Sequence, residues 1–334
     1  MSKRLVYIDW IRAVAIVLMV FWQVFDFFSE YNVYSDSPFF FSSINAPIHL
    51  FVLVLFSGMA GAGLYLYLSK VKKKQGFKKT FFRVLKKYSW LIVISFFFTF
   101  LVWDFCTFYT WSEAIQGVGL VGIFAFIILY LEFPTIFVVS LSLAVGIFQQ
   151  LIKPLLMSAV STLPFCVTNL SFEMFFSLPV NFLFRGFFSV INLLPLMLWG
   201  ASMVKYLNEK SWRTIFFLGC ALIFFGVILH NVIPINFYER SPTSFLVEIG
   251  FLTVLMALGS FLSKTRASSK ISLILLPFGM DALIVYLAHF LLVYKPLSML
   301  GLENTFGIPI SLIGSFTFLL ISNVVINLWR KQYS

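Results

Sequence analysis

The sequence predicts an all-α membrane protein, a polytopic transmembrane helix bundle of about ten spans that forms one domain over residues 1–334. Three observations favour this fold class. Hydrophobic residues make up 60% of the chain and charged residues only 11%, which is typical of membrane proteins. Apolar runs are spread over the whole chain and leave no room for a soluble domain. Basic residues concentrate in alternate loops, which predicts a fixed orientation with both termini in the cytoplasm.

Ten segments have the length and hydropathy of a membrane-crossing helix, about 17–25 residues each. They lie at roughly 9–29, 46–68, 88–106, 113–131, 135–152, 186–206, 214–231, 244–263, 272–294 and 306–328. With the N-terminus inside, 19 of the 24 Lys and Arg residues fall on the cytoplasmic side, and four fall outside. This asymmetry predicts a multi-pass protein of the cell membrane with both termini cytoplasmic.

Charge and cysteine content limit the kinds of ligand and partner that the sequence predicts. The net charge of +11 is explained by membrane topology, so no nucleic-acid partner is predicted. The basic run at 70–87 is interpreted as a topogenic loop held to anionic lipid headgroups. Alternatively, Arg83 at the foot of the third span pairs with a nucleotide phosphate. The three cysteines show no CxxC or framework spacing, and no His/Cys/Asp cluster has ligand spacing, so no metal site is predicted.

The first span carries a polar stripe formed by Asp9, Arg12, Gln23 and Asp26. At about 100° per residue, Gln23 lies roughly 20° from Arg12, Asp26 about 40° to its other side, and Asp9 about 60° away. A charged group at mid-membrane costs several kcal/mol, so the stripe should face the bundle interior. Asp9 and Arg12 are close enough to pair. Arg12 and Asp26 lie roughly 21 Å apart along the axis, so the ligand they serve is long or has two ends.

A histidine is the usual general base for acyl transfer, because its pKa lies near the working pH. His49 begins the second span on the outer side, at about the depth of Gln23 and Asp26. We therefore predict His49, Gln23 and Asp26 as the catalytic group. The alternative is an interfacial histidine satisfied by loop carbonyl groups.

Further polar residues lie within or beside the later spans. Trp103 and Asp104 end the third span at the predicted outer interface. They are candidates for a functional role, and the alternative is that Asp104 is simply a carboxylate exposed to solvent. Gln116 is deeper and is expected to line the interior. In the ninth span, Asp281 and His289 differ by about 80° in direction and can contact one cavity, with interhelical packing bonds as the alternative.

Several stretches resemble one family. IDWIRAVAIVLMVFWQ resembles the opening D-x-x-R-G-x-A-x-x-x-M motif of heparan-α-glucosaminide N-acetyltransferase and its prokaryotic relatives. FSGMAGAGLYL, EAIQGVGL and NLLPLMLWGASM resemble later motifs of that family, in the same order. FGMDALIVYLAHF resembles an ending shared with the wider superfamily of integral-membrane acyltransferases. Gln23 stands where these proteins have asparagine or histidine, and His49 is assigned on chemical grounds, since no residue matches the family's catalytic histidine without a gap.

The resemblance implies an enzyme that moves an acetyl or other acyl group from cytoplasmic acetyl-CoA, as a co-substrate, to an extracytoplasmic glycan or small-molecule acceptor. The residues predicted to bind acetyl-CoA are Asp9, Arg12, Arg83 and Gln116. Those predicted to bind the acceptor are Trp103, Asp104, Asp281 and His289. Membrane lipid is a further expected partner, and a homodimer is compatible with this reading. The alternative is a non-catalytic permease or exporter in which acidic residues of the same cavity couple to protons.

Overall fold

The computed structural model describes residues 5–29, 39–71, 74–102, 114–159, 183, 189–233, 241–265 and 268–333. Over these ranges the chain is helical, and no β-strand occurs among them. A single-residue parallel bridge joins Ser29 to Phe306 within this part of the chain. The all-α prediction is therefore confirmed.

The helices follow the apolar runs of the sequence closely. Their bounds are α1 (Val6–Phe28), α2 (Phe39–Val71), α3 (Phe77–Val102), α4 (Ala114–Tyr130), α5 (Thr135–Ala159), α6 (Val190–Glu209), α7 (Trp212–Leu229), α8 (Pro242–Leu262), α9 (Ser268–Met280), α10 (Ala282–His289), α11 (Lys295–Met299) and α12 (Ile308–Tyr333). A π-helical segment, Phe290–Tyr294, joins α10 to α11.

In the described ranges, seven helical segments are long and apolar enough to cross a membrane. They are Val6–Phe28, Phe51–Val71, Val190–Glu209, Trp212–Leu229, Pro242–Leu262, Ala282–Met299 and Ile308–Leu328. They coincide with the predicted first, second and sixth to tenth spans, the ninth being divided between α9 and α10. The predicted third, fourth and fifth spans lie on α3, α4 and α5, which are outside this set of seven.

The outward surfaces of several helices are apolar. Phe217 on α7 is 68% exposed, and Leu320 on α12 is 67% exposed. Soluble monomers rarely expose large contiguous apolar patches. These surfaces are typical of helices that contact lipid, in agreement with a membrane protein.

The chain divides into two compact units, Met1–Phe56 with Leu258–Ser334, and Ser57–Ala257. In the first unit α1 is the central helix and packs against α9 and α12. Its buried side includes Ala13, Ala15 and Ile16, which are fully buried. The small alanines let neighbouring helices approach the backbone of α1 closely.

In the second unit, helices α2 and α6 cross with their backbones in contact. A Cβ atom on Gly61 would overlap the carbonyl group of Met197, and one on Gly200 would overlap the carbonyl group of Gly58. Small residues permit this close approach between membrane helices. Gly58, Gly61 and Gly200 therefore serve the close packing of α2 against α6.

Two side-chain hydrogen bonds fix the neighbours of α6. Trp199 Nε1 donates to Thr253 Oγ1 on α8 at 2.8 Å. Ser142 Oγ on α5 donates to the carbonyl oxygen of Pro195 at 2.7 Å. All four residues belong to the second unit. The close crossing of α2 and α6 at their glycines and these two hydrogen bonds together fix the relative positions of α2, α5, α6 and α8.

Candidate functional site

At the N-terminal end of the polar stripe on α1, Asp9 and Arg12 form an ion pair. Arg12 Nη1 lies 3.3 Å from Asp9 Oδ1 and 3.5 Å from the carbonyl oxygen of Gly279 on α9. The Asp9 side chain is 10% exposed and the Arg12 side chain 31% exposed. The predicted pairing of these two residues, three positions apart on one helix face, is confirmed.

A glycine on α9 allows this pair to form where it does. A Cβ atom on Gly279 would overlap the carbonyl oxygen of Asp9, so only glycine permits the two backbones to meet at this level. About two turns earlier on α9, Ser272 Oγ accepts a hydrogen bond from Trp10 Nε1 at 3.1 Å. The start of α1 is therefore fixed against α9 by a backbone contact and two side-chain hydrogen bonds.

The C-terminal end of the stripe holds a second polar pair. Gln23 Oε1 lies 2.8 Å from Nε2 of His289, the last residue of α10. His289 is fully buried, whereas Gln23 is half-buried. An amide oxygen can only accept a hydrogen bond, so His289 donates through Nε2. The two N–H donors of the Gln23 amide find no partner in the part of the chain that the structure describes.

Aromatic rings enclose His289. The ring of Phe27 is stacked on the imidazole, with centroids 6.1 Å apart and planes at 11°. Tyr286 meets it edge to face at 5.4 Å, and Phe290 lies 4.1 Å away. These contacts fix the orientation of the imidazole, and through the hydrogen bond they also fix Gln23.

The backbone changes character immediately after His289. Residues Phe290–Tyr294 form a π-helical segment. Short π-helical segments inside helices are rare and are frequently found at functional sites. Nearby, the amide of Asn304 donates to the carbonyl oxygen of Phe27 at 3.0 Å, and that of Phe306 to Phe28 at 2.8 Å. The end of α1 is thereby tied to the segment that precedes α12.

The remaining predicted residues of the first unit lie on the same helices. Asp26 is half-buried on α1, one turn beyond Gln23. Asp281 is half-buried at the break between α9 and α10, two residues after Gly279, which contacts Asp9. Asp281 therefore lies towards the Asp9 end of the stripe. Its position is eight residues from His289, about 12 Å along the helix axis.

In the second unit, Arg83 lines a small pocket of about 100 Å³ between α2 and α3, together with Lys87, Tyr67 and Tyr88. Two cations in one pocket can bind an anion such as a phosphate group.

Gln116 is buried on α4 and donates through Nε2 to Thr99 Oγ1 on α3 at 3.4 Å. This bond joins α3 to α4. Whether Gln116 contributes to acetyl-CoA binding stays a prediction.

The structure shows a larger cavity in the second unit that the sequence did not indicate. Its volume is about 420 Å³, and it lies where α2, α4 and α6 end and α5 begins. Its lining includes Tyr65, Glu132, Phe133, Thr135 and Lys205. The lining comes from three separate stretches of the sequence, 65–69, 128–138 and 201–205, so no local pattern could have grouped it.

Three predicted residues cannot be placed. Trp103 and Asp104 lie outside the described ranges. His49 falls on α2, but its side chain is outside the described part of the structure.

No family model matches this chain, and no curated protein matches its sequence.

Proposed function

We propose that this chain is an integral-membrane acyltransferase that moves an acetyl group from cytoplasmic acetyl-CoA to an amine or hydroxyl group of an extracytoplasmic sugar or related acceptor. The observation that carries the proposal is the pair of fixed polar contacts on one side of α1. Asp9 and Arg12 form the first, and Gln23 and His289 the second. Arg12 and Gln23 are eleven residues apart, about 17 Å along the axis.

This spacing suits a ligand with a charged end and a reactive end. Acetyl-CoA has that shape, because its phosphate groups and its thioester are separated by the extended pantetheine arm. In the proposed topology the chain has ten spans in the cell membrane with both termini cytoplasmic. Arg12 then lies at the cytoplasmic side, where the phosphates would be bound, and Gln23 lies at the acceptor side. The basic asymmetry of the loops supports this orientation.

The reaction needs a base for the acceptor and donors for the developing oxyanion. The acceptor nitrogen or oxygen attacks the thioester carbonyl carbon, and the carbon–sulfur bond breaks. His49 takes the proton from the acceptor and returns it to the departing CoA thiolate. Gln23 is the proposed oxyanion donor, because His289 occupies its amide oxygen and leaves both amide N–H groups for the substrate.

The test uses the full chain, purified in detergent and supplied with acetyl-CoA and a panel of amino sugars. Acetylated acceptor is measured by mass spectrometry and released CoA by thiol titration. We expect CoA release only when an acceptor is present, in equal amount to the acetylated product. Binding of acetyl-CoA should also raise the unfolding temperature, since a ligand that binds only the folded state stabilises it.

The permease alternative makes a different prediction in proteoliposomes. A carrier would move the intact labelled sugar across the membrane without consuming acetyl-CoA. Sugar flux together with no acetylated product, and no shift of the unfolding temperature by acetyl-CoA or CoA, would overturn the proposal.

A further inference from the structure

The pocket between α2 and α3 has the size and the lining of a site for one phosphate group. Its volume is about 100 Å³, well below the roughly 300–1,000 Å³ of sites that enclose a whole small molecule. Arg83 and Lys87, one turn apart on α3, line it together with Tyr67 of α2. Among the described residues of the lining, none carries a carboxylate. The lining is therefore positively charged, which favours an anion.

Arg83 is the residue of this pocket best suited to hold a phosphate. It is exposed and makes no hydrogen bond or ion pair with any residue that the structure describes. A guanidinium group stays charged and binds phosphate through two parallel hydrogen bonds. Lys87 adds a second charge, since its Nζ lies 6.0 Å from the ring centroid of Tyr88, which also lines the pocket. Lys87 has a further interaction within the protein, so Arg83 is assigned as the main phosphate ligand.

An exposed apolar stripe on α3 continues from Arg83 and is formed by Trp90, Phe97 and Leu101. These side chains are 64%, 66% and 45% exposed. At about 100° per residue, all three lie within about 40° of the direction of Arg83 around the helix axis. Exposed apolar stripes of this kind are typical of helices that contact lipid. Arg83 thus lies at the polar end of a surface that suits acyl chains.

The dimensions of the stripe match one leaflet of a bilayer. Trp90 and Leu101 are about 16 Å apart along the axis, and the hydrocarbon of one leaflet is about 15 Å thick. Tryptophan is enriched at the boundary between hydrocarbon and headgroups. Arg83 lies about 10 Å before Trp90, on the headgroup side of that boundary. A ligand with a phosphate at Arg83 and hydrocarbon beyond Trp90 has the form of a phospholipid.

We propose that the pocket between α2 and α3 binds the phosphate of an anionic phospholipid, such as phosphatidylglycerol, whose acyl chains lie along the apolar stripe of α3. Arg83 holds the phosphate diester, and Lys87 supplies the second positive charge. Basic pockets between membrane helices are known to bind anionic headgroups. A zwitterionic lipid binds less tightly, because its ammonium group would lie beside two cations.

This lipid site is separate from the acyl-transfer chemistry proposed for α1, and its occupancy does not depend on that activity. It assigns Arg83 to a lipid phosphate instead of the phosphates of acetyl-CoA. The experiment therefore compares lipids with soluble phosphate compounds.

The test is native mass spectrometry of the delipidated full chain, titrated with phosphatidylglycerol, phosphatidylethanolamine and phosphatidylcholine. Phosphatidylglycerol should bind most tightly. Arg83→Met should weaken its binding by about tenfold, as expected when a charge-assisted hydrogen bond is lost. Arg83→Lys should lose less, because it keeps the charge and loses only the paired hydrogen bonds.

The matched control is Lys78→Met. Lys78 is an exposed basic residue of the same helix that does not line the pocket and lies about 140° from Arg83 around the axis. Its replacement removes the same charge and should leave binding of phosphatidylglycerol unchanged. Each variant is first checked for an unaltered unfolding temperature without lipid, and Arg83→Gln replaces Arg83→Met if the latter is unstable.

A competition experiment separates a lipid phosphate from a soluble one. Inorganic phosphate, glycerophosphoglycerol and CoA lack acyl chains on the stripe, so at equal concentration they should not displace phosphatidylglycerol. Displacement by inorganic phosphate or glycerophosphoglycerol would assign the pocket to a soluble phosphate, and displacement by CoA would assign it to a nucleotide. Either result would overturn the proposal. Equal affinity for the three lipids, or equal weakening in Arg83→Met and Lys78→Met, would also overturn it by showing non-specific association.

Discussion

The amide oxygen of Gln23 lies 2.8 Å from Nε2 of His289, across 266 positions of the sequence. The bond joins α1 to the last residue of α10, just before the π-helical segment. Because His289 is fully buried among aromatic rings, it holds Gln23 in one orientation. The amide N–H groups of Gln23 are then directed away from the imidazole, where a substrate oxygen could accept from them.

Replacing Gln23 tests whether its bond to His289 stabilises the fold and whether its amide N–H groups contribute to catalysis. Gln23→Leu removes the acceptor and leaves the N–H group of a fully buried histidine without a partner. Such a loss costs about 1–3 kcal/mol, so the free energy of unfolding should fall by that amount. Chemical denaturation of the purified protein measures the change.

Gln23→Glu is the matched control for stability and the sharper test of catalysis. A carboxylate still accepts from His289, so most of the stability should remain, but the two N–H donors are lost. Acetyl transfer should fall by about 10²–10³-fold, the usual effect of removing one oxyanion donor. Full transfer activity in Gln23→Glu would contradict the oxyanion role.

Local pattern predicted one of the two polar contacts on α1 and not the other. Asp9 and Arg12 are three residues apart on one helix, so helical periodicity alone predicts their pairing. Gln23 and His289 were each selected as polar residues within apolar spans, but which residue faces which across 266 positions depends on how the helices pack. The sequence therefore predicted Gln23 and His289 as polar residues of interest without predicting their contact.

The ninth span shows a second limit of sequence reasoning. A single crossing was predicted over roughly 272–294, but the chain forms α9 and α10 with a break at Asp281 and a π-helical segment after His289. Pro277 lies inside α9, where it cannot donate a backbone hydrogen bond. Hydropathy measures only how apolar a segment is. It therefore identifies one long apolar segment here and does not detect the break between α9 and α10.

Arg12 is expected to contribute to the binding of acetyl-CoA through its charge. Arg12→Met should weaken acetyl-CoA binding by about tenfold or more, since it removes charge-assisted hydrogen bonds to phosphate. Isothermal titration calorimetry of the purified protein measures the affinity. Lys210→Met serves as the control for lost positive charge and should leave the affinity unchanged. Unchanged affinity in Arg12→Met would remove Arg12 from the proposed site.

Gly279 is expected to tolerate no side chain. In Gly279→Ala the new Cβ atom would overlap the carbonyl oxygen of Asp9, so α1 and α9 must separate. Overpacking of this kind costs about 1–3 kcal/mol of unfolding free energy. Gly76→Ala is the control, because a Cβ atom there meets nothing within 4 Å. Equal stability of the two variants would show that α1 and α9 are not in close contact at this level.

The proposed orientation predicts that Lys74 and Asn169 lie on opposite sides of the membrane. Single cysteines at these positions, in a chain whose three native cysteines are replaced, can be labelled in intact cells with a reagent that does not cross the membrane. Asn169→Cys should be labelled and Lys74→Cys should not. Labelling of both from outside, or of neither before lysis and both afterwards, would reject the ten-span topology.

The identity of the general base is tested by comparing two histidines. His49 begins the second predicted span at about the depth of Gln23 and Asp26. If it takes the acceptor proton, His49→Ala should lower acetyl transfer by about 10²–10⁴-fold and leave acetyl-CoA affinity nearly unchanged, since general-base catalysis contributes about that much.

His289→Ala is the informative comparison, because His289 is fully buried and its Nε2 is occupied by Gln23. In that position His289 would act on the substrate only through Gln23, which it orients. Because the His289 side chain is also part of the buried core, His289→Ala should lower the free energy of unfolding as well. His289→Gln retains an N–H donor for Gln23 and should recover part of the lost transfer if the role is positional. Full activity in His49→Ala, with activity abolished in both His289 variants, would indicate that the general base is His289 and not His49.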